Sequence, residues 1–142
     1  MKGLEPFERK SLLTIFESND ILAVYLFGSR VDGTFTPASD YDFAVLLKEA
    51  PSFEEASLLM LEIQDNLSSI LSGEVDVVVL NTATIEQRFL IISRGTVIYS
   101  GDDNIRTDFE DIAIRDYLDF KPFLDAYRRD VREAIKEGEF YA

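Results

Sequence analysis

The spacing of hydrophobic residues predicts a chain of alternating strands and helices. Short apolar runs at residues 21–27, 43–47, 74–80 and 96–100 are typical of strands, and the first is bulky enough for a buried one. Apolar positions at helical spacing occupy residues 4–18, 53–71 and 84–94. The predicted fold is therefore α/β (α+β), a small mixed β-sheet with flanking helices and an edge strand at residues 96–100.

The ends of the predicted strands carry the polar residues, and their positions fix the strand directions. Gly28 follows the first strand, whereas Asp40 and Asp76 stand where the second and third begin. These three residues meet only if the first strand is antiparallel to the second and the third is parallel to it. The segment before the third strand is long enough for the helical crossover that a parallel pair requires.

Residues 102–142 have a different character and are predicted to be helical, with an interruption or kink around Pro122. We expect most of their aromatic and aliphatic residues to pack on the sheet and some to form a surface for a partner. These residues are Phe109, Ile112, Ala113, Tyr117, Phe120, Phe123, Leu124, Tyr127 and Val131. With 142 residues, the chain is predicted to be one domain, 1–142, with a motif core at 21–81 and a helical part at 102–142.

Composition excludes several classes of chemistry. The chain has neither cysteine nor histidine, so it has no disulfide, no Ser-His-Asp or Cys-His catalysis and none of the usual zinc sites. A net charge of −13 argues against direct binding of nucleic acid and suits a basic protein partner, or simply solubility. Residues 1–20 do not form a signal peptide, and no run is long enough to span a membrane, so we expect a cytoplasmic protein.

The candidate site lies between the first two strands. Gly28 permits a close backbone approach, and Ser29 offers a hydroxyl and, if a helical turn begins there, unpaired N–H groups for phosphate. Asp40 and Asp42 are two residues apart on a strand, so both carboxylates point to one face, where Mg²⁺ would relieve their repulsion. Asp76, inside an otherwise apolar strand, needs a partner, and the Asp40/Asp42 cation is the obvious one.

Each of these residues also has a simpler explanation. Gly28 fits an ordinary turn, and Ser39 with Asp40 fits a loop that precedes a strand. Asp76 could pair with Arg30 or Arg88. A calcium loop is poorly supported, because Ala44 stands where an EF-hand needs an oxygen ligand. The acidic cluster at residues 102–111 is typical of a solvated helix N-terminus. The joint placement of Gly28, the Asp pair and Asp76 is what these explanations leave unexplained.

The combination Gly28-Ser29, Asp40-x-Asp42 and Asp76 resembles the motif of the DNA polymerase β-type nucleotidyltransferase superfamily. In length and detail the chain is most similar to the minimal members of that superfamily, the MNT antitoxins of HEPN/MNT toxin–antitoxin pairs. The resemblance covers residues 21–81 and implies a nucleotidyltransferase fold. It implies that Gly28 and Ser29 bind the phosphates of a nucleoside triphosphate, and that Asp40, Asp42 and Asp76 are catalytic and hold Mg²⁺. Arg30, opposite phosphate or in a salt bridge, and Ser39 are further candidates for nucleotide binding.

The activity that the resemblance implies is transfer of AMP from ATP to a hydroxyl, a tyrosine of a partner HEPN ribonuclease toxin. Two alternatives stay open. One is a non-catalytic antitoxin that neutralises its partner by contact and keeps a vestigial nucleotide site. The other is transfer to a small molecule, for which the short chain offers no evident second domain to build an acceptor pocket.

Overall fold

A computed structural model describes residues 4, 6–18, 20–32 and 40–138. In chain order the elements are α1 (Pro6–Ser18), β1 (Ile21–Phe27), α2 (Ser29–Asp32), β2 (Tyr41–Leu47), α3 (Phe53–Ser68), β3 (Val75–Val79), a 3-10 turn (Leu80–Thr82), α4 (Ile85–Arg94), β4 (Thr96–Ser100) and α5 (Asp103–Lys136). The four strands form one sheet in the order β3-β2-β1-β4. β1 is antiparallel to β2 and β4, and β3 is parallel to β2. The mixed α/β fold and the strand directions predicted from the sequence are confirmed.

The sheet has a hydrophobic core on each face. On one face, α1 and α3 bury Phe16, Ile63 and Leu67 against alternate strand residues such as Phe43 and Val77. On the other face, α4 contributes Ile91 and α5 contributes the half-buried Phe109 to a smaller cluster around Tyr25, Ala44 and Leu46. β1 and β2 are buried on both faces because helices cover both sides, which is why both read as nearly continuous apolar runs.

A side chain caps the first turn of α3 and of α4. The hydroxyl of Ser52 accepts from the backbone N–H of Glu55 at 3.1 Å, and that of Thr84 accepts from Gln87 N–H at 3.1 Å. Each bond satisfies one of the unpaired N–H groups of a first helical turn. The cap at Thr84 fixes the start of α4, the helix that covers the sheet beside the candidate site.

The predicted interruption of the C-terminal helix is wrong, because α5 continues through Pro122 to Lys136. Proline removes the N–H that would donate to the carbonyl of Leu118, four residues earlier. Both residues lie on the exposed surface of the helix, where water can hydrate that carbonyl. The missing hydrogen bond therefore does not force the helix to end.

The prediction that most apolar residues of α5 pack on the sheet is also wrong. Only Ala113 is buried in this helix, whereas Phe123 is 74% and Tyr127 65% exposed. A helix of 34 residues is about 50 Å long, roughly twice the length of a seven-residue strand. The first half of α5 contacts β1 and α4, and its second half reaches the start of α4, where Arg128 donates to Glu86 at 2.8 Å.

Polar contacts to β1, β4 and α4 and one aromatic pair hold α5 on the body. Tyr25 donates to Oε2 of Glu110 at 2.6 Å, and Arg106 donates to the same oxygen at 2.9 Å. Burial and the bond to Glu110 raise the pKa of the Tyr25 hydroxyl. Further along, the rings of Phe89 and Tyr117 stack with centroids 3.9 Å apart.

Across the part of the chain that the structure describes, we find no helix with the length and apolarity needed to cross a bilayer.

Candidate active site

The turn after β1 has the geometry that the sequence predicts. Gly28 has φ of +77°, a left-handed conformation that favours glycine. α2 begins at the next residue, Ser29, and Val31 N–H donates to Gly28 C=O at 3.1 Å. A Cβ at Gly28 would overlap Oδ2 of Asp42 and lie 3.2 Å from its Cγ. The glycine is therefore required twice, by its backbone angle and by the carboxylate packed against it.

Asp42 is the central carboxylate of the site. In the sheet it stands opposite Phe27 of β1 and opposite Asp76 of β3. Burial raises the pKa of Asp42 above its ordinary value, and the charges of Asp76 and Asp40 raise it further. Asp42 faces Asp76 in the sheet register, and the charges of Asp76 and Asp40 act on Asp42. The three carboxylates therefore lie near one another at one end of the sheet.

Asp40 and Asp76 are both exposed, and neither is enclosed in the core. Asp40 immediately precedes β2, which is fixed there by a bond of 2.8 Å from Tyr41 N–H to the carbonyl of Glu74. The exposure of Asp76 corrects one premise of the sequence analysis: as the second residue of a short strand at the edge of the sheet, it pays no large desolvation cost. Its place beside Asp42, and not burial, is the reason to include it in the site.

The two arginines considered as partners of Asp76 make other contacts. Arg88 donates to the backbone carbonyls of Leu80 at 2.8 Å and Asn81 at 2.6 Å. The guanidinium carbon of Arg30 lies 4.0 Å from the ring centroid of Tyr41, and the residue is only 5% exposed. Tyr41 belongs to the core on the opposite face of the sheet from Asp42. The structure therefore shows the Arg30 guanidinium stacked on Tyr41, and its predicted role in nucleotide binding stays a prediction.

Two of the remaining candidates are described only in part or not at all. The backbone of Ser29 begins α2, but the structure does not describe its side chain. Ser39 lies outside the described residues altogether, so its predicted role in nucleotide binding stays a prediction.

The chemistry of the site fits a hard divalent cation. Its donors are carboxylate oxygens, and crowding that raises the pKa of Asp42 is relieved by a cation. Within residues 4–138, as far as they are described, no group of three or more Asp or Glu residues is placed to hold a metal ion by itself. Mg²⁺ bound together with a nucleotide needs only one or two carboxylates, because phosphate oxygens and water complete its octahedron. Asp40 and Asp42 could supply those ligands.

Comparison with known families decides the class of protein. The family model described as polymerase beta nucleotidyltransferase matches residues 10–104, which include α3, α4, all four strands and the carboxylates of Asp40, Asp42 and Asp76. The chain belongs to this family. The nucleotidyltransferase fold, the predicted superfamily and the class of enzyme are therefore confirmed.

Solved structures share the fold over nearly the whole chain. One is a chain of a toxin–antitoxin complex crystallised with AMP-PNP, with 23% identity, 87% of this chain and 98% of that chain covered, and a TM-score of 0.75. Another comes from the complex of a tri-AMPylated Shewanella oneidensis HEPN toxin with an MNT antitoxin, with 20% identity, 91% and 99% covered, and a TM-score of 0.72. Among curated proteins, none matches at a significant level.

Proposed function

We propose that this nucleotidyltransferase is an antitoxin that uses Mg²⁺ and ATP to transfer AMP to a tyrosine hydroxyl of a HEPN toxin. The observation that carries the proposal is the meeting of Gly28 with Asp42, and of Asp42 with Asp40 and Asp76, at one end of the sheet. The similar solved structures support the choice of acceptor, because one of them pairs an MNT antitoxin with an AMPylated HEPN toxin.

In this proposal each part of the site has one task. The turn at Gly28 and Ser29 brings backbone groups close to the terminal phosphates, since no Cβ stands in the way. Asp40 and Asp42 would hold Mg²⁺, which supplies charge neutralisation on the triphosphate. Asp42 stands opposite Asp76 in the sheet, so a triphosphate held at Asp40 and Asp42 would have its α-phosphorus near Asp76.

The exposed carboxylate of Asp76 is the group that would accept the proton of the acceptor hydroxyl. The hydroxyl oxygen forms a bond to the α-phosphorus, and the bond from that phosphorus to the bridging oxygen breaks. Pyrophosphate leaves with that electron pair, and the toxin keeps the AMP. Positioning and electrostatics account for most of the catalysis in such transfers.

The exposed face of α5 is the surface that we assign to the toxin. Phe123 and Tyr127 are large and exposed, and they are the kind of residue that anchors interfaces. Charge along this helix is uneven: residues 103–119 carry six acidic and two basic side chains, whereas residues 120–136 carry three acidic and five basic ones. Phe123 and Tyr127 lie in the second half, so this proposal assigns the toxin contact to their exposed rings and not to the acidic charge of residues 103–119.

Calorimetry with ATP tests the nucleotide site. We expect binding in the presence of Mg²⁺ that is lost on chelation, and lost in a protein carrying both Asp40→Ala and Asp42→Ala. The control is the pair Asp108→Ala and Asp111→Ala, which removes the same charge from exposed positions on α5. Equal ATP affinity with and without metal would contradict the proposal.

Contact-only neutralisation is the second candidate, and the large exposed surface of α5 is the observation that favours it. The two functions differ in what they require of the carboxylates. If AMP transfer is the function, cells that make the toxin are protected by the parent and by the Asp108/Asp111 control, but not by the Asp40/Asp42 double variant. Full protection by the double variant would establish contact-only neutralisation.

A further inference from the structure

An open cavity of about 370 Å³ lies between α4 and the sheet, with Gly28 in its wall. Its other walls are apolar for the most part, formed by Phe27 of β1, Val78 of β3, and Leu90 and Ile91 of α4. A volume of this size is within the range of sites for small organic ligands.

The carboxylates of Asp42 and Asp76 lie next to residues that line the cavity. Phe27 stands opposite Asp42 in the sheet, and Val78 follows Asp76 by two residues on the same face. The charged groups and the glycine turn thus lie at one end of the cavity, and α4 forms the wall that faces the sheet.

This distribution of charged and apolar groups suits the nucleotide better than the tyrosine that accepts AMP. A nucleotide has charged phosphates at one end and a flat, weakly polar base at the other. A tyrosine that entered from a partner would lead with its hydroxyl, which would then meet the apolar wall at Leu90 and Ile91. We propose that the cavity under α4 binds the nucleobase, an inference that rests on the nucleotidyl transfer proposed above.

Two polar residues of α4 also line the cavity and give it selectivity. Gln87 and Arg94 are seven residues apart, on the same side of the helix as Leu90 and Ile91. The amide of Gln87 presents a donor and an acceptor, the pair that adenine can meet with its amino group and a neighbouring ring nitrogen. The guanidinium of Arg94 is suited to stacking on the open face of a planar ring.

Filling the cavity tests the proposal without relying on catalysis. Leu90→Trp adds volume at a position that is 38% exposed, so the fold can accommodate it, and Leu58→Trp at a 69% exposed position of α3 is the matched control. Calorimetry in Mg²⁺ compares ATP with inorganic tripolyphosphate, which has phosphates but no base. Circular dichroism confirms that each variant is folded.

We expect the parent to bind ATP at least tenfold more tightly than tripolyphosphate. Leu90→Trp should remove that difference and leave tripolyphosphate affinity unchanged, and Leu58→Trp should alter neither. Gln87→Ala should bring the ratio of ATP to GTP affinity several-fold closer to one. If Leu90→Trp binds ATP as the parent does, or if the parent binds both ligands equally, the base pocket is refuted while the phosphate site stands. If the parent binds neither ligand, the proposed function fails together with the pocket.

Photolabelling locates the base directly. With 8-azido-ATP and Mg²⁺, the modified peptide should include residues of α4, and the label should be lost in Leu90→Trp but not in Leu58→Trp. Label confined to peptides outside β1, β3 and α4 would overturn the assignment.

Discussion

Replacing Gly28 with alanine tests the steric coupling between the glycine turn and the central carboxylate. At φ of +77°, an alanine costs about 1–2 kcal/mol in backbone strain. Its Cβ would also overlap Oδ2 of Asp42, so the carboxylate must leave its place, at about 1 kcal/mol for a strained rotamer. The total of about 2–3 kcal/mol corresponds to a Tm lower by roughly 10 °C for a chain of this size.

Gly138 provides the control for this substitution. It has nearly the same backbone angle, φ of +75°, but a Cβ there would meet no atom within 4 Å. Gly138→Ala should therefore cost only the backbone strain of about 1–2 kcal/mol. Differential scanning calorimetry of the two variants separates the strain of the backbone from the overlap with the carboxylate.

A double-mutant cycle tests whether Asp42 is the residue that an alanine at position 28 would overlap. In a protein that already carries Asp42→Ala, Gly28→Ala should lose only the backbone term, which gives a coupling of about 1 kcal/mol between the two positions. Equal destabilisation by Gly28→Ala and Gly138→Ala, or a cycle without coupling, would refute the close approach of Asp42 to Gly28.

Two further predictions concern charge and anchoring. Because burial and two neighbouring acids raise the pKa of Asp42, its ionisation costs stability as pH rises above the ordinary value of 3.8. Asp42→Asn should therefore melt at or above the parent at pH 7 without divalent cations and lose this advantage near pH 4, and a lower Tm at pH 7 would identify the carboxylate as a structural hydrogen-bond acceptor. Tyr25→Phe removes the donor to Glu110 and should destabilise the fold by about 1.5 kcal/mol in urea denaturation, whereas an unchanged midpoint would contradict the anchoring of α5 through this bond.

Much of the fold and the core of the site follow from the sequence, because each depends on local rules. The strand periodicities and the positions of Gly28, Asp40 and Asp76 at strand ends are sufficient to predict the sheet directions. The meeting of the three acids follows from those directions, since side chains at facing strand positions must be neighbours.

What the sequence does not predict depends on length and on tertiary geometry. An apolar pattern shows which residues of α5 share a face, but not that the sheet is too short to cover Phe123 and Tyr127. Pro122 reads as a break because local rules omit the water that can hydrate an exposed carbonyl. The stacking of the Arg30 guanidinium on Tyr41 also depends on the fold and cannot be predicted from the motif.

The sequence also does not predict the cavity beside Gly28, because its lining residues come from three separate elements. The spacing of Gln87, Leu90 and Arg94 places them on one side of α4, but nothing in the sequence indicates that this side overhangs the carboxylates. A polar residue one turn before an apolar one is a common pattern on helix surfaces.

The most direct test of nucleotidyl transfer is the intact mass of the toxin. The protein, ATP and Mg²⁺ are incubated with the proposed partner, a HEPN toxin, and the products are separated and weighed by mass spectrometry. The proposal predicts a toxin heavier by one or more AMP units, modified on tyrosine, with the parent and with the Asp108/Asp111 control. The double variant Asp40→Ala with Asp42→Ala should still bind the toxin but leave its mass unchanged. An unmodified toxin with the parent, or a modified one with the double variant, would contradict the assignment of these carboxylates to AMP transfer.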